Sequence, residues 1–440
     1  MMKKKLLLCI ALGTALAACS GSQKKEVDWK KNVLDVAVCQ LKTTAEELTD
    51  SALFPRSVWT GYKLDFLIEQ MEQPLENFQD SLCANPATDK LGQKILCGIY
   101  DWTSGFFPGS LWYAYELTGD KDLKTQAVRY TNMLNSVRYY KDNHDIGFMM
   151  NCSYGNALRL APSDTIQAVL IETADNLCGR FDERIGCIRS WNFGPWNFPV
   201  IIDNMMNLDL LFNAYRLTKD MKYYNVAVRH AQTTMKNHFR PDYTSYHVVS
   251  YNSDGTVETK CTHQGQHNES VWARGQAWGV YGYTACYRET RNLDFLNQAM
   301  HIADMIMEKV TTEDCIPYWD YEAPATSDTP RDASAAAITA SAFLELSTLA
   351  PEGQKYFYYA ERLLKRLSQS DYLAKKGENG GFLLKHSVGA LPHGAGGHLE
   401  DFVELLAQRA CGAANAQRPA DAVAGFAGAA GVGETAHSGL

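Results

Sequence analysis

The feature that most restricts the fold of this 440-residue chain is a repeat hidden in its helical stretches. Asn156-Ala-Leu-Arg-Leu160 matches Asn213-Ala-Tyr-Arg-Leu217, and each is followed by a polar turn and a second amphipathic helix. Ala114-Tyr-Glu-Leu-Thr-Gly-Asp120 opens the same kind of unit, and Cys286-Tyr-Arg-Glu-Thr290 and Phe343-Leu-Glu-Leu-Ser347 supply two more. The returning helices are expected over 123–134, 223–235, 293–307 and 354–367. These are αα-hairpins in series. The stretches 29–49 and 62–73 contribute a sixth. An open solenoid needs polar capping repeats at its ends, and none is visible, whereas a closed ring buries every inner helix. The pattern therefore predicts an all-α (α/α)6 toroid.

Counting back about twelve or thirteen residues from the aligned ends of the inner helices reaches Trp102, Asp145, Asp203, Arg274 and Asp332. At ~1.5 Å rise per residue each lies one helix length away. All five are thus expected at the mouth where inner helices begin, and helix N-termini there favour negative charge.

Asp203 stands in Trp196-Asn-Phe-Pro-Val-Ile-Ile-Asp203-Asn-Met-Met-Asn207, an otherwise apolar run. Lost solvation there raises a carboxyl pKa toward the range of a general acid; the plainer alternative is a helix cap. Asp145 follows His144 and precedes Ile-Gly-Phe148, which alone reads as a turn and cap. Trp272-Ala-Arg274-Gly-Gln276-Ala-Trp278 alternates indoles with polar groups, as a sugar-binding edge does, because indoles stack on pyranose faces while Arg and Gln bind hydroxyls and carboxylates. Trp191 and Trp196 add aromatic surface ahead of Asp203. His247 is either a donor to substrate or a surface histidine. Asp332 reads better as a cap than as a catalyst.

Composition removes other classes. A net charge of −8 argues against nucleic acid as a partner and requires local cations for an acidic substrate. No HExxH, P-loop, GxGxxG or GxSxG motif occurs. His263 and His267 have a metal-compatible spacing but sit in a Gly- and Gln-rich loop, and the twelve cysteines form no C-x-x-C pair, so no metal site is expected. Met1-Met-Lys-Lys-Lys5, a short apolar run and Leu16-Ala-Ala-Cys19 form a signal peptide of lipoprotein type over 1–18, with Cys19 as the lipidated residue and 19–28 as a tether. The expected address is the bacterial cell envelope, lipid-anchored and facing the periplasm. A catalytic domain is expected over 29–394, followed by an atypical Ala/Gly-rich tail over 395–440.

From about Trp29 to Pro392 the chain resembles glycoside hydrolase family 88, the unsaturated glucuronyl hydrolases. The motifs that carry the resemblance are Asp101-Trp-Thr-Ser-Gly-Phe-Phe-Pro-Gly109, His144-Asp-Ile-Gly-Phe148, Ile202-Asp-Asn-Met-Met-Asn207, Trp272-Ala-Arg-Gly-Gln-Ala-Trp278 and Asp332-Ala-Ser-Ala-Ala-Ala337. The resemblance implies hydration of the C4–C5 double bond of the 4,5-unsaturated uronic acid that lyases leave on glycosaminoglycan fragments. It implies Asp203 as the acid–base group, Asp145 as its assistant, and Trp102, His144, Trp191, His247, His263, Gln264, Trp272, Arg274 and Trp278 as substrate-binding residues. No metal or cofactor is implied. The alternatives are the sibling hydrolases of unsaturated rhamnogalacturonyl fragments and a helical glycan-binding lipoprotein without catalysis.

Overall fold

The computed structural model describes residues 28–58 and 92–391. The expected signal peptide, the tether up to residue 27, the helix expected at 62–73 and the tail from 395 lie outside them.

Helix α1 (Trp29–Glu47), capped by Asp28, is followed by a hairpin of β1 (Phe54–Val58) and β2 (Lys94–Cys97). Hairpins then follow in order. Helix α2 (Phe106–Thr118) turns at Gly119 into α3 (Lys121–Met133). The next inner helix is composite: α4 (Ile146–Met150), a π-helical turn (Asn151–Gly155) and α5 (Asn156–Leu160), returning as α6 (Asp164–Cys178). Short strands β3 (Phe181–Asp182), β4 (Cys187–Ile188) and β5 (Pro199–Ile201) lead to α7 (Asn204–Thr218) and α8 (Met221–His238). Strands β6 (Val248–Tyr251) and β7 (Val257–Cys261) precede α9 (Ala273–Thr290) and α10 (Leu293–Lys309), and α11 (Ala333–Leu349) with α12 (Gln354–Leu367) completes the series.

The two kinds of helix differ as a ring requires. Helix α9 is buried from Ala273 through Cys286 and α11 from Ala333 through Leu344, so both are enclosed on every face, α9 with Arg274 and Gln276 among its buried polar residues. Their outer partners bury one stripe: α12 buries Tyr356, Ala360, Leu363, Leu364 and Leu367 and leaves a charged face outside. Inner helices pack on their ring neighbours, α9 on both α7 and α11, and α7 also on α4. The ends of the described chain meet. Gln40 of α1 donates to Glu378 O (2.7 Å) and Phe382 O (3.1 Å) and accepts from the Gly377 N–H (2.9 Å). One fully buried amide thus joins the first helix to the segment after the last. This is the expected (α/α)6 arrangement, with five inner–outer pairs among the described residues.

The sheet of β5, β6 and β7 is antiparallel, with Pro199 opposite Ser250 and Val248 opposite Cys261. It lies at the end of the ring where the inner helices begin, and its register delivers residues to the mouth.

Candidate active site

Four of the five residues reached by counting back stand at the start of an inner helix. Asp145, Asp203 and Asp332 are the residues immediately before α4, α7 and α11, and Arg274 is the second residue of α9. Trp102 lies four residues before α2. The local chemistry then separates them. Asp332 accepts from the N–H groups of Ser334 (3.0 Å) and Ala335 (3.3 Å) and is a true cap. Asp203 makes no such bond: its side chain is buried, caps none of the helical N–H groups, and its Oδ2 accepts no hydrogen bond. Burial pushes the Asp203 carboxyl up to about 7, with the Arg274 charge acting in the opposite direction. The Asp145 carboxyl is also held well above its ordinary value, first by burial and next by the charge of Asp203, while a hydrogen bond from Asn207 opposes both. Two buried carboxyls, the charge of Asp203 raising the proton affinity of Asp145, thus lie within electrostatic reach of each other.

The sheet holds that site together. The His144 N–H donates to Ser190 O (2.9 Å), the Ser190 N–H to Pro199 O (2.8 Å), and the Ile201 N–H to Ser190 Oγ (2.9 Å). The Ile202 N–H donates to His247 O (3.0 Å). Asp203 at the end of β5, His247 just before β6, and His144 beside Asp145 are therefore fixed by backbone bonds rather than by loop packing.

His247 Nδ1 accepts the N–H groups of His263 (3.0 Å) and Gln264 (3.1 Å). The proton of a neutral ring must then sit on Nε2, which lies 3.7 Å from Asp203 Oδ2. His144 is fully buried, and burial holds its imidazole well below its ordinary value, so it is neutral; its Nε2 lies 3.1 Å from Asp145 Oδ1.

An aromatic wall borders Asp203 and His247. Trp191 stacks on Phe193 (4.8 Å, 14°) and meets Trp196 (5.8 Å), His263 (5.1 Å) and His247 (6.4 Å). Trp272 closes on His247 from the other side (4.5 Å). Trp102 belongs to a separate aromatic group with Phe106 (6.2 Å) and Phe148 (6.0 Å), the last of which, in α4, follows Asp145.

Three residues of the Trp272–Trp278 run are placed differently from the sugar-binding edge expected of them. Arg274 is buried and contacts Asp332 Oδ2 (3.1 Å), Ser334 Oγ (3.4 Å), Val388 O and Gly389 O (2.7 Å), with its guanidinium over the Trp272 ring. It ties the start of α11 to the closing segment and acts on Asp203 through its charge. Gln276 is held by Ser245, accepting from its N–H (2.8 Å) and donating to its carbonyl (3.3 Å). Trp278 faces a central cavity of about 380 Å³ with Phe148, Met206 and Tyr281. That cavity lies further along the inner helices, and neither Asp145 nor Asp203 lines it. Gln264 reaches Gly389 O (3.4 Å).

Asn207 is the functional neighbour that sequence reasoning did not single out. Its Oδ1 accepts the Phe148 N–H (2.8 Å), and its Nδ2 lies 3.5 Å from His144 Nδ1. Gly147 makes the approach possible, since a Cβ there would fall 2.6 Å from Asn207 Cβ and Oδ1. Among the described residues no group of three His, Cys, Asp or Glu side chains is arranged to hold a metal ion, and the eight described cysteines are free thiols.

A helical ring with a buried carboxyl pair and an indole wall at its mouth defines a toroidal carbohydrate-active enzyme that works by acid–base chemistry. More narrowly, the chain belongs to Glycosyl Hydrolase Family 88, whose family model matches residues 93–395; a model for a domain of unknown function matches residues 2–73. The chain is 47% identical over 332 residues to the unsaturated glucuronyl hydrolase of Formosa agariphila, covering 74% of this chain and 83% of that one. It is 30% identical over 347 residues to the unsaturated chondroitin disaccharide hydrolase of Streptococcus pneumoniae, covering 76% and 86%. A crystal structure of an unsaturated glucuronyl hydrolase specific for heparin superposes with a TM-score of 0.78 at 44% identity, over 88% of this chain and 96% of that one. The Bacillus sp. GL1 unsaturated glucuronyl hydrolase, responsible for the degradation of glycosaminoglycan, superposes at 0.75 with 26% identity, over 87% and 96%.

Proposed function

We propose that this protein is an unsaturated glucuronyl hydrolase that releases the 4,5-unsaturated uronic acid from the non-reducing end of lyase-generated glycosaminoglycan oligosaccharides. The observation that carries the proposal is Asp203: a buried carboxyl, poised to hold its proton near neutral pH, with one oxygen that accepts no hydrogen bond. A vinyl ether needs protonation at carbon, which a carboxylate cannot supply and a neutral carboxylic acid can. Asp203 gives its proton to C4, and the positive charge that develops is shared between C5 and the ring oxygen. Water adds to C5 and returns a proton to Asp203. The C5 hemiketal opens to a ketone, the ring C5–O bond breaks, and the hemiacetal left at C1 releases the neighbouring sugar. Asp145, kept beside the reacting edge, orients the substrate and water. His247 presents Nε2–H to the same space, while Trp191 and Trp272 form the face on which the flat, conjugated ring lies.

The 44% identity to a heparin-specific relative makes heparin fragments the first substrates to assay, with chondroitin fragments second. The leader ending at Cys19 supports attachment of the protein to the cell envelope by a lipid on that cysteine; incorporation of labelled fatty acid, lost in Cys19→Ala, checks it. The activity itself is tested by mixing the protein with lyase-generated unsaturated disaccharides. The expected result is loss of the ultraviolet absorbance of the conjugated double bond together with release of the second sugar. Binding with unchanged absorbance contradicts it and leaves a glycan-capturing protein.

A further inference from the structure

A neutral imidazole meets a substrate as donor or as acceptor according to which ring nitrogen holds its proton. We propose that Asp320 is a positioning residue that locks His247 as a neutral Nε2–H donor, by holding the loop whose His263 and Gln264 N–H groups bind Nδ1. The inference deepens the hydration reading and rests on it for its kinetic arm.

The loop runs from Thr262 to Trp272, between β7 and α9. Side chains accept its N–H groups from 263 to 267 without a break. Those of His263 (3.0 Å) and Gln264 (3.1 Å) meet His247 Nδ1, and that of Gly265 meets Thr262 Oγ1 (2.7 Å). That of Gln266 meets Asp320 Oδ2 (3.1 Å), and that of His267 meets Ser270 Oγ (3.1 Å). Asp320 is where these bonds converge. It is fully buried, and its carboxyl oxygens also accept the Ser270 hydroxyl (2.6 Å) and the N–H groups of Val271 (3.2 Å) and Glu322 (3.0 Å). The backbone around it is pinned to the start of α9: the Tyr321 N–H donates to Val271 O (2.9 Å) and the Ala273 N–H to Trp319 O (3.0 Å). Gly265 lets the loop close over the carboxyl, since a Cβ there would fall 2.7 Å from Thr262 Oγ1 and 3.1 Å from Asp320 Oδ2.

A backbone N–H cannot turn round as a side-chain amide can, so two of them at Nδ1 leave that nitrogen one role. It accepts, and the proton of the ring sits on Nε2. Protonating Nδ1 would set a third N–H against the two already there. His247 therefore stays neutral and offers a donor but no base, which leaves proton transfer to the carboxyls. Around the ring stand Asp203 Oδ2, 3.7 Å from Nε2, and the His263 ring, 6.3 Å away between centroids. The Arg274 guanidinium lies over the Trp272 ring that meets His247. An asparagine at 320 has one acceptor oxygen. Whichever way its amide is turned, two of the four donors then face an NH2, the loop relaxes, and Nδ1 can carry a proton.

The test uses the full chain labelled at its histidine ring nitrogens and followed by nitrogen NMR; the His247 signals are those lost in His247→Gln. In the wild type they are expected to show a bare Nδ1 and a protonated Nε2, unchanged from about pH 8 to about pH 5, on either side of the ordinary imidazole value. In Asp320→Asn the two signals converge as the tautomers exchange, and His247 takes up a proton within that range. His230 and His238, bonded to the Ile188 N–H and to Val200 O, report the fold and keep their wild-type signals. Gly265→Ala disturbs the same loop with every titratable group left in place. It is expected to act the same way, and it decides the matter if Asp320→Asn does not fold. With an unsaturated disaccharide, kcat of either variant is expected to fall on the order of tenfold or more, and KM to rise by less. Wild-type His247 signals in a folded variant, a His247 that titrates in the wild type, or a change confined to KM overturns the proposal. If the wild type leaves the disaccharide untouched while the His247 signals shift as stated, the hydration reading fails and the positioning by Asp320 stands.

Discussion

The inner helices carry charged side chains at both ends, and the two ends use them in opposite ways. Toward the C-terminal end the arginines within α5, α7 and α9 are each paired with a carboxylate. Arg159 pairs with Glu116 (2.7 Å), Arg216 with Glu289, and Arg288 with Glu345 (2.8 Å), Glu289 (2.8 Å) and Asp209. These pairs link successive inner helices, α2 to α5, α7 to α9 and α9 to α11. At the N-terminal mouth the charges are left in tension: two buried carboxyls are both pushed toward neutrality, and Arg274, whose charge acts on Asp203, is already committed to Asp332 and two backbone carbonyls. The comparison shows why one end is architecture and the other chemistry. A paired charge has nothing left to offer a substrate, while a buried acid without partners holds a proton it can give away.

The sharpest way to break this comparison is Asp203→Asn. It is expected to lower kcat by ~10²–10⁴-fold while substrate binding, followed by fluorescence of the indole wall, persists. Retention of a tenth of the wild-type rate removes Asp203 from the reaction. The matching change at the other end, Arg288→Met, is expected to do the reverse. Leaving Asp209 and Glu345 without their partner costs about 3 kcal/mol, read as a lower denaturant midpoint, with kcat near wild type at 25 °C. A large loss of kcat without loss of stability erases the distinction between the ends.

A smaller effect sharpens it. The folded Asp203 holds its proton to about pH 7, against an ordinary value of 3.8, so the folded chain binds more protons than the unfolded one between those values. That contribution to stability is full at low pH and is lost as pH rises toward 7, since the slope follows the excess protons of the unfolded state. Asp203→Asn removes the slope and is expected to be more stable than wild type by roughly 1–3 kcal/mol at pH 8.5, with the gain shrinking below pH 6. Thermal melts at both pH values check it; an Asn variant less stable than wild type at pH 8.5 contradicts the burial argument. The smallest expected change is Trp278→Phe, which alters the central cavity but not the carboxyl pair: kcat is expected to change less than about threefold, with a stability loss near 1 kcal/mol. A collapse of kcat here shows that the cavity and the mouth work as one pocket.

How far the sequence could be read follows from where each residue's partners lie. The ring was legible because hairpins repeat locally: turn, helix and returning helix fall within some forty positions. Asp203 was legible because its own neighbours, Val200 to Ile202 and Met205 to Met206, declare the burial that defines it. Asn207, four positions on, was not, because its meaning lies in the Phe148 N–H, 59 positions away. Arg274 suggested an anion site by type alone, and no periodicity reveals that Val388 and Gly389 bring carbonyls to it. The π-helical turn at Asn151–Gly155 left no trace either, since it alters the hydrogen-bond pattern while the apolar spacing continues through it. The three-stranded sheet left little trace, because Pro199–Ile201 is too short to announce a strand.

The central claim is that the buried acid at the mouth protonates carbon rather than a glycosidic oxygen. Turnover of an unsaturated disaccharide in deuterated water, followed by NMR of the released uronic product, tests it directly. The account predicts one deuteron at C4, delivered to a single face, and no such product from Asp203→Asn. A product that keeps its double bond and carries no deuterium at C4 contradicts it, because the bond to the neighbouring sugar would then have been cut without hydration.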